Sequence, residues 1–356
     1  MNTLLLTPEL FTSDGGITRI LRLYLKALNE LAKEPDTLQV VSLNDRTVDR
    51  EMLARYCGAR VSKTCVCSGS RIKFILRALQ MGLRSKRIVC GHVGQLPVAW
   101  AVSLLRPGLH YYLVAHGIEV WRSFTWLERL ALRGARQVWC VSKFTQTQLL
   151  SNCALQANRT AVLPNALDPF LEGVGAEDVP TDSMVILSIS RLSIADSYKG
   201  IQHLIAAMPH VRSKIGTARL RIVGRGDALP GLRQLAVDQG VFDCVEFPGF
   251  VSDADLHAEF GRCRIFALPS EKEGFGLVYL EAMAHGRPCL GALSGGTPEV
   301  ITSESGTLVG YGNVDEIAKA LVESLRRKWS AEKIRDRAKQ FSYVKFKERL
   351  AHLLER

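Results

Sequence analysis

Residues 270–291 read SEKEGFGLVYLEAMAHGRPCLG, and this stretch decides the fold. The apolar run RIFALPS, residues 264–270, predicts a strand that is buried on both faces. Two glycines then predict a turn, and apolar residues at helical spacing predict a helix from about Gly276. Such a turn directs unpaired amides and a partial positive charge at one point, so the backbone from Phe275 to Leu277 is suited to bind a phosphate.

Two glutamates flank the predicted start of this helix. Glu273 lies in the turn, and Glu281 lies about a turn and a half into the helix. Two solvated charges that the helix dipole favours would give the same pattern, so the pair alone leaves both interpretations open. However, the spacing E-x7-E followed by A-x-A-x-G-x-P resembles the paired-glutamate motif of one family. This family consists of the retaining, nucleotide-sugar-dependent glycosyltransferases of the GT-B fold, which are also called glycosyl transferases group 1 or family 4.

The resemblance implies an α/β protein in which two Rossmann-like, doubly wound domains face each other across a cleft and close over the donor. Strands that alternate with helices also predict parallel sheets of this kind. We expect an N-terminal acceptor-binding domain over residues 1–170, a linker over 171–182 and a nucleotide-sugar-binding domain over 183–338. A final helix, 339–356, is expected to cross back to the first domain.

The second half contains most of the residues that match the family. Arg191 follows a predicted strand, and Lys199 stands at a helix start, where two cations suit a diphosphate. Taken alone, such cations are most often solvated, and their assignment here follows from the family's Arg and Lys-Gly motif. The resemblance implies the following further roles: Glu273 holds sugar hydroxyls, Glu281 holds the ribose, Gly224 packs beside the nucleotide, and Phe250 and Val251 lie at the base.

Three positions in the first half are candidates for the same site. Gly15 and Gly16 form a strand-to-helix turn that lets backbone approach a ligand. His116 ends a predicted strand, and a histidine that simply caps a strand would give the same sequence; family members have His-Gly there, against the donor sugar. His92 is a weaker candidate for the acceptor cleft. The acids to examine for a covalent route are Glu9 and Glu119.

Composition indicates an ordinary soluble globular protein. The 356 residues are 47% hydrophobic and 23% charged, and their number favours two domains. We expect a cytoplasmic protein, because neither a targeting segment nor a membrane-spanning run is evident in the sequence. The nine cysteines lack C-x-x-C pairs and are expected to be reduced thiols. The predicted cations make a metal or another cofactor unnecessary.

The net charge of +11 lies entirely in the first half. Residues 1–170 contain 22 Lys and Arg against 11 Asp and Glu, and no acid stands between Glu51 and Glu119. This interval includes a basic helix, SRIKFILRALQMGLRSKR, residues 70–87, which fits either contact with an anionic membrane or a packed surface helix; the missing counter-charges favour the membrane. Its apolar stripe is formed by Ile72, Ile75, Leu76, Leu79 and Leu83.

These observations predict a retaining hexosyltransferase that acts on a glycan or a lipid-linked glycan in cell-surface polysaccharide, lipopolysaccharide or glycolipid synthesis. A peripheral position at the inner face of the plasma membrane is an option within this prediction. GDP-mannose is favoured slightly over a UDP-hexose as donor. A nucleotide-sugar epimerase, a phosphorylase and an inactive glycan-binding homologue are alternatives on the same fold. A nucleic-acid-binding protein is also an alternative, but nucleic acid is not an expected partner, because aromatic residues are not interleaved with the basic ones.

Overall fold

A computed structural model describes residues 2–13, 15–32, 37–58, 61–171 and 184–355. They form two compact units, one from Met1–Asp168 together with Tyr343–Arg356 and the other from Pro169–Ser342. The predicted linker, residues 171–182, lies outside the described residues after Leu171. Within the described ranges, none of the helices combines the length and the apolar character needed to span a bilayer.

The first unit is built on seven parallel strands in the order β3-β2-β1-β4-β5-β6-β7. Crossover helices cover both faces of such a sheet, which explains why its central strands are apolar throughout. The strands are Thr3–Thr7 (β1), Leu38–Ser42 (β2), Val61–Val66 (β3), Arg87–Cys90 (β4), His110–Ala115 (β5), Gln137–Cys140 (β6) and Thr160–Val162 (β7). The helices between them are Gly16–Glu30 (α1), Arg50–Cys57 (α2), Arg71–Gly82 (α3), Leu96–Leu105 (α4), Trp126–Gly134 (α5) and Lys143–Asn152 (α6).

The second unit contains six parallel strands in the order β10-β9-β8-β11-β12-β13. The strands are Val185–Ile189 (β8), Arg219–Val223 (β9), Val245–Gly249 (β10), Ile265–Leu268 (β11), Cys289–Ala292 (β12) and Gly306–Val309 (β13). The helices are Ile201–Lys214 (α7), Leu229–Asp238 (α8), Asp253–Arg262 (α9), Leu277–Ala284 (α10), Thr297–Val300 (α11), Val314–Arg326 (α12) and Ala331–Lys339 (α13). The prediction of an α/β, doubly wound fold is confirmed.

The last helix, Tyr343–Glu355 (α14), belongs to the first unit although it follows the second in the chain. Its Phe346 packs edge-on against Tyr24 of α1, with the ring centroids 5.0 Å apart. Lys347 donates from Nζ to Glu30 Oε2 at 2.8 Å. The first unit therefore obtains part of its core from a segment that is about 300 residues from α1 in sequence.

Candidate functional site

The strand order of the second unit fixes where a ligand can bind. Strands β9 and β10 lie on one side of β8, and strands β11, β12 and β13 lie on its other side. The direction in which the chain adds strands therefore reverses between β8 and β11. In sheets of this kind, ligands bind beyond the carboxyl ends of the strands at such a switch point. The segment after β8 contains Arg191 and Lys199, and the segment after β11 contains Glu273.

Lys199 and Glu273 form an ion pair at this point. The lysine Nζ lies 2.7 Å from Glu273 Oε2, and the side chains are 24% and 15% exposed. Lys199 is followed by Gly200, whose φ is +76° and where a Cβ atom would lie 2.4 Å from the carbonyl oxygen of Pro269. Because any side chain at that position would collide with the β11 loop, glycine is required for the close approach of the two segments.

Arg191 is held by a carboxylate that sequence reasoning missed. Its Nε donates to Asp196 Oδ2 at 2.5 Å and its Nη2 to Oδ1 at 3.2 Å, while the Tyr198 hydroxyl donates to the same Oδ1 at 2.9 Å. The arginine side chain is nevertheless 76% exposed, and Nη1 points away from this pairing with its donors available. The guanidinium is therefore oriented on one edge and free to bind an anion on another.

Tyr198 connects the two ion pairs into one network. The Lys199 Nζ lies 5.6 Å from the centre of the Tyr198 ring, whose hydroxyl binds Asp196. Burial, together with the hydrogen bond to Asp196, raises the pKa of Tyr198 to about 12, so the phenol stays neutral and donates. Burial opposes ionisation of Asp196, but the hydrogen bonds from Arg191 and Tyr198 outweigh it and lower the pKa of that carboxyl. Arg191, Lys199 and Glu273 thus lie in one contiguous group of side chains.

A second glycine turn, at Gly295 and Gly296, packs against the backbone of Glu273. The Gly296 amide donates to the Glu273 carbonyl oxygen at 2.7 Å, and a Cβ atom on Gly295 would lie 2.3 Å from that oxygen. The Ser294 hydroxyl donates to the Glu271 carbonyl oxygen at 2.6 Å. These contacts fix the loop that presents Glu273, and the Ser-Gly-Gly sequence after a strand was the signal that could have identified them.

At the start of α10, the groups suited to bind a ligand are backbone amides and not side chains. Gly276 is the N-cap residue, with φ +95°, and the helix begins at Leu277, one residue after the predicted start. Phe275 is 2% exposed and packs against Phe341 with the ring centroids 5.4 Å apart, so a ligand can reach this residue only through its amide. Glu281 is 8% exposed in the second turn.

The remaining predicted residues of the second unit are Gly224, Phe250 and Val251. A Cβ atom on Gly224 would lie 1.8 Å from the Ser190 carbonyl oxygen, so this glycine lets the β9 loop press against the Arg191 segment. Phe250 is 59% exposed, and the Arg225 guanidinium lies 4.9 Å from its ring centre. Val251, which follows it, is partly buried.

His116 stands at the carboxyl end of β5 in the first unit. Its Nε2 lies 2.9 Å from the Gly91 carbonyl oxygen and therefore bears the proton, which leaves Nδ1 as an acceptor. This Nδ1 is buried and has no hydrogen-bond partner in the part of the chain that the structure describes. Burial lowers the pKa of the imidazole, against the opposing effect of Glu119, so it is neutral near pH 7. Such an acceptor suits a ligand hydroxyl.

The β1–α1 turn of the first unit is ordered by acids. Gly15 is the N-cap residue of α1, which begins at Gly16. The buried Asp45 accepts hydrogen bonds from the Leu10 amide at 2.7 Å and the Thr12 amide at 2.9 Å. Glu9 accepts from the Ser13 hydroxyl at 2.5 Å.

Two other candidates of the first unit are also engaged locally. Glu119 accepts from the His116 backbone amide at 2.5 Å, and His92 Nδ1 accepts from the Gly94 amide at 3.0 Å. Glu119 and Glu9 therefore both organise their own loops, and neither carboxylate is aligned by a partner that would activate it as a nucleophile.

Metal-dependent transferases hold their metal ion with a D-x-D pair of aspartates, and this chain has such a pair at Asp253 and Asp255. Asp255 lies in the first turn of α9, where its Oδ2 accepts from the Ser252 hydroxyl at 2.6 Å and its amide donates back to that hydroxyl at 3.2 Å. This arrangement caps the helix. The prediction of a metal-independent reaction rests on the cations Arg191 and Lys199.

The two doubly wound parallel sheets with flanking helices are those of the GT-B fold, and solved structures agree. The chain matches Anabaena HepE in complex with UDP over 100% of both chains, with 21% identity and a TM-score of 0.81. It matches WaaG, a glycosyltransferase involved in lipopolysaccharide biosynthesis, over 98% of this chain and 99% of that one, with 16% identity and a TM-score of 0.70. These likenesses establish the fold.

Sequence comparison adds a match to a family. Residues 183–327 match the family model Glycosyl transferases group 1, and this match confirms the predicted resemblance to that family for the second unit. A GDP-mannose-dependent alpha-(1-6)-phosphatidylinositol monomannoside mannosyltransferase from Mycolicibacterium smegmatis is 34% identical over 233 residues, which are 59% of each protein. The chain thus spans about three fifths of the length of these curated relatives.

Proposed function

We propose that the protein is a retaining hexosyltransferase that transfers a hexose from a nucleotide sugar to a hydroxyl of a glycan or lipid-linked glycan. The observation that supports it most is the Lys199–Glu273 pair inside the Arg191 network at the switch point. GDP-mannose is the preferred donor in this proposal, because mannosyltransferases named for that donor are among the relatives. A UDP-hexose is the second choice, since a neighbour of the same fold is known with UDP.

The proposed chemistry follows from where charge develops. When the bond between sugar and phosphate breaks, negative charge grows on the diphosphate and positive charge grows on the sugar ring. Arg191, Lys199 and the amides from Phe275 to Leu277 would stabilise the diphosphate, and groups fixed before the reaction are the most effective for this. We propose that these donors do so without a metal ion or another cofactor.

The carboxylates and the imidazole would orient the sugar and the nucleoside. Glu273 Oε2 is occupied by Lys199, which leaves the other oxygen to accept from sugar hydroxyls. Glu281 would accept hydrogen bonds from the ribose hydroxyls, and Phe250 and Val251 would lie at the base. Gly224, which has no side chain, would allow close packing beside the nucleotide. His116 Nδ1 would accept from a sugar hydroxyl, and Gly15 and Gly16 would approach the donor with their backbone.

Retention of configuration would proceed by front-face attack. A double displacement needs a carboxylate held against the anomeric carbon, and the two acids of the first unit considered for it, Glu9 and Glu119, are both bonded to their own loops. The departing phosphate can instead accept the proton of the attacking hydroxyl.

The cysteines bear on where the enzyme works. All nine are free thiols, which fits a reducing compartment, and we propose a cytoplasmic enzyme of cell-surface glycan synthesis.

The test begins with the donor. We expect GDP-mannose to raise the melting temperature more than UDP-glucose or ADP-glucose, and slow hydrolysis of the bound donor to be measurable with water as acceptor. We expect Glu273→Gln and Lys199→Ala each to lower the rate of donor turnover by about a hundredfold or more, because each removes a preorganised polar group. Retention would then be read from the anomeric proton of the product by NMR.

Lys333→Ala is the matched control, since Lys333 is 63% exposed and pairs only with a surface glutamate. It should turn over the donor as the unmodified protein does. Wild-type turnover by both site variants would contradict the proposal. Conversion of a UDP-sugar to its epimer, or a requirement for inorganic phosphate, would replace the transferase with an epimerase or a phosphorylase.

A further inference from the structure

We propose that the outer surface of α3 and the end of α4 binds an anionic lipid membrane. This surface, called here the α3–α4 surface, combines exposed apolar side chains with exposed cations. Its apolar members are Ile72, Ile75, Leu76, Leu83, Leu104 and Leu105. Its basic members are Arg71, Lys73, Arg77, Arg84 and Lys86.

Helix α3 has two apolar faces, and only one of them is used by the core. The buried face consists of Phe74, Ala78 and Met81. Four of the five residues in the stripe predicted from the sequence point the other way, with Ile72 74% exposed and Leu76 60% exposed. The fifth, Leu79, is partly buried against the core, which corrects the prediction at that position. Single exposed leucines are ordinary, but a continuous stripe on one helix marks an interaction surface.

The end of α4 extends the same surface. Arg106 donates from Nη1 to the carbonyl oxygen of Leu83, which places the ends of the two helices side by side. A Cβ atom on Gly82 would lie 2.9 Å from a methyl group of Val102, so the helices are in close contact. Leu104 and Leu105, at 63% and 67% exposed, therefore stand at the end of α4 that is bonded to the end of α3.

The charge of this surface is of one sign. The sequence has no acid between Glu51 and Glu119, so neither α3 nor α4 contains a counter-charge. On the neighbouring α5, Glu128 is buried and bonded to Arg122. Among the described residues, none of the five basic members of the surface forms an ion pair with a carboxylate.

A lipid surface is the partner that matches both properties at once. The apolar side chains can enter the boundary between headgroups and acyl chains while the cations contact anionic headgroups. A second copy of the chain would bring two positive surfaces together, which is unfavourable. Nucleic acid would satisfy the cations but would leave the aliphatic side chains exposed, since none of them can stack on a base.

The experiment is flotation of the full chain with vesicles of phosphatidylcholine, with and without phosphatidylglycerol. We expect binding to the anionic vesicles alone. Reversal of charge in Arg71→Glu, Lys73→Glu and Arg77→Glu together should lower the bound fraction about tenfold or more, and salt should do the same to the unmodified protein. The double variant Ile72→Ser with Leu76→Ser should lose binding even at low salt.

Two matched controls lie elsewhere on the surface. Val237→Ser with Phe242→Ser removes two side chains that are 52% and 53% exposed in the second unit, and it should bind as the unmodified protein does. Lys319→Glu with Lys328→Glu reverses two exposed charges and should have a small effect. The donor-induced rise in melting temperature, retained in every variant, shows that the fold is intact.

Three outcomes would overturn the proposal. One is flotation that is equal with and without phosphatidylglycerol. Another is unchanged flotation of both α3 variants. The third is a dimer in sedimentation velocity, or a nucleic-acid complex in a gel shift, that the Ile72→Ser and Leu76→Ser variant abolishes while vesicle binding is absent. Since donor turnover is measured separately, failure of the membrane proposal leaves the proposed function intact.

Discussion

Arg191 has one orientation in this protein because Asp196 binds two of its nitrogen atoms. An exposed arginine on a flexible stem loses side-chain entropy when it binds an anion. Here, part of that loss has already been incurred in the free protein, because Nε and one N–H of Nη2 are held by Asp196. We therefore regard Asp196 as a positioning residue for the proposed diphosphate site.

We predict that Asp196→Asn raises the KM for the nucleotide sugar about tenfold and changes kcat less. An asparagine has one acceptor oxygen and no charge, so it cannot hold both nitrogens of the guanidinium. The folded-state pKa of Asp196 is lowered, so the ion pair is complete above the usual carboxyl value and is lost only as the pH falls through the lowered one. The ratio of KM values should therefore be constant from about pH 5 to 8.

Asp227→Asn is the control for this variant. Asp227 Oδ1 accepts from the Ile194 amide at 2.8 Å, so it orders the same loop without touching Arg191. Its amide counterpart keeps that acceptor, and KM should stay within twofold of the unmodified value. A KM that rises equally in both variants would show that Asp196 acts only through the order of the loop.

The sequence could nominate Arg191, Lys199 and Glu273 because each stands in a stretch that resembles a family motif. It could not identify Asp196, since an acid in a polar loop has the same appearance whether it is solvated or binds an arginine. The burial of Phe275 was equally hidden, because its partner Phe341 is 66 residues away in sequence and only the folded chain brings them to 5.4 Å.

At the scale of elements, α3 shows why a helical pattern does not determine which side is buried. Phe74, Ala78 and Met81 recur at helical spacing, and so does the stripe that begins at Ile72. Both sets satisfy the same periodicity, so the sequence predicts the helix but not its rotation. The rotation is set by the sheet, whose apolar residues on that face accept the bulkier phenylalanine and methionine.

Two glycines, one in the loop after β9 and one in α8, can be compared by substituting each with alanine. Gly224→Ala should destabilise the second unit by about 2 kcal/mol or more, because the new methyl group would overlap the Ser190 carbonyl oxygen and φ is +146°. Gly231, in the first turn of α8, has no atom within 4 Å of its Cβ position. Gly231→Ala should therefore stabilise the protein by about 0.5–1 kcal/mol.

Urea unfolding of both variants measures these changes, and donor binding provides a second readout. Gly224→Ala should also weaken donor binding, because the displaced segment contains Arg191, whereas Gly231→Ala should not. If Gly224→Ala unfolds at the same urea concentration as the unmodified protein, the two backbones do not pack as described.

At the scale of the whole molecule, alternation of strands and helices was enough to predict two parallel sheets. It was not enough to give the order of strands in either sheet, because a crossover helix can lead to an adjacent strand or to a strand on the other side of the sheet. The order nonetheless locates the site, since the reversal between β8 and β11 brings Arg191 and Glu273 together.

The C-terminal helix provides the last prediction, because it joins the first unit from the far end of the chain. Phe346 is 2% exposed and meets Tyr24 at 5.0 Å, so Phe346→Ala should destabilise the first unit by about 3 kcal/mol or more. Val344, two residues before Phe346 in the same helix and 53% exposed, is the control, and Val344→Ala should change stability by less than about 0.5 kcal/mol.

Hydrogen exchange followed by mass spectrometry separates the units in this test. In Phe346→Ala, amides of β1, β2 and α1 should exchange faster, because they share a core with α14. Amides of β8, β9 and β11 should keep their rates, since their core is formed within the second unit. Faster exchange of both sheets to the same extent would mean that the two units unfold as one, and α14 would then stabilise the entire chain rather than the first unit alone.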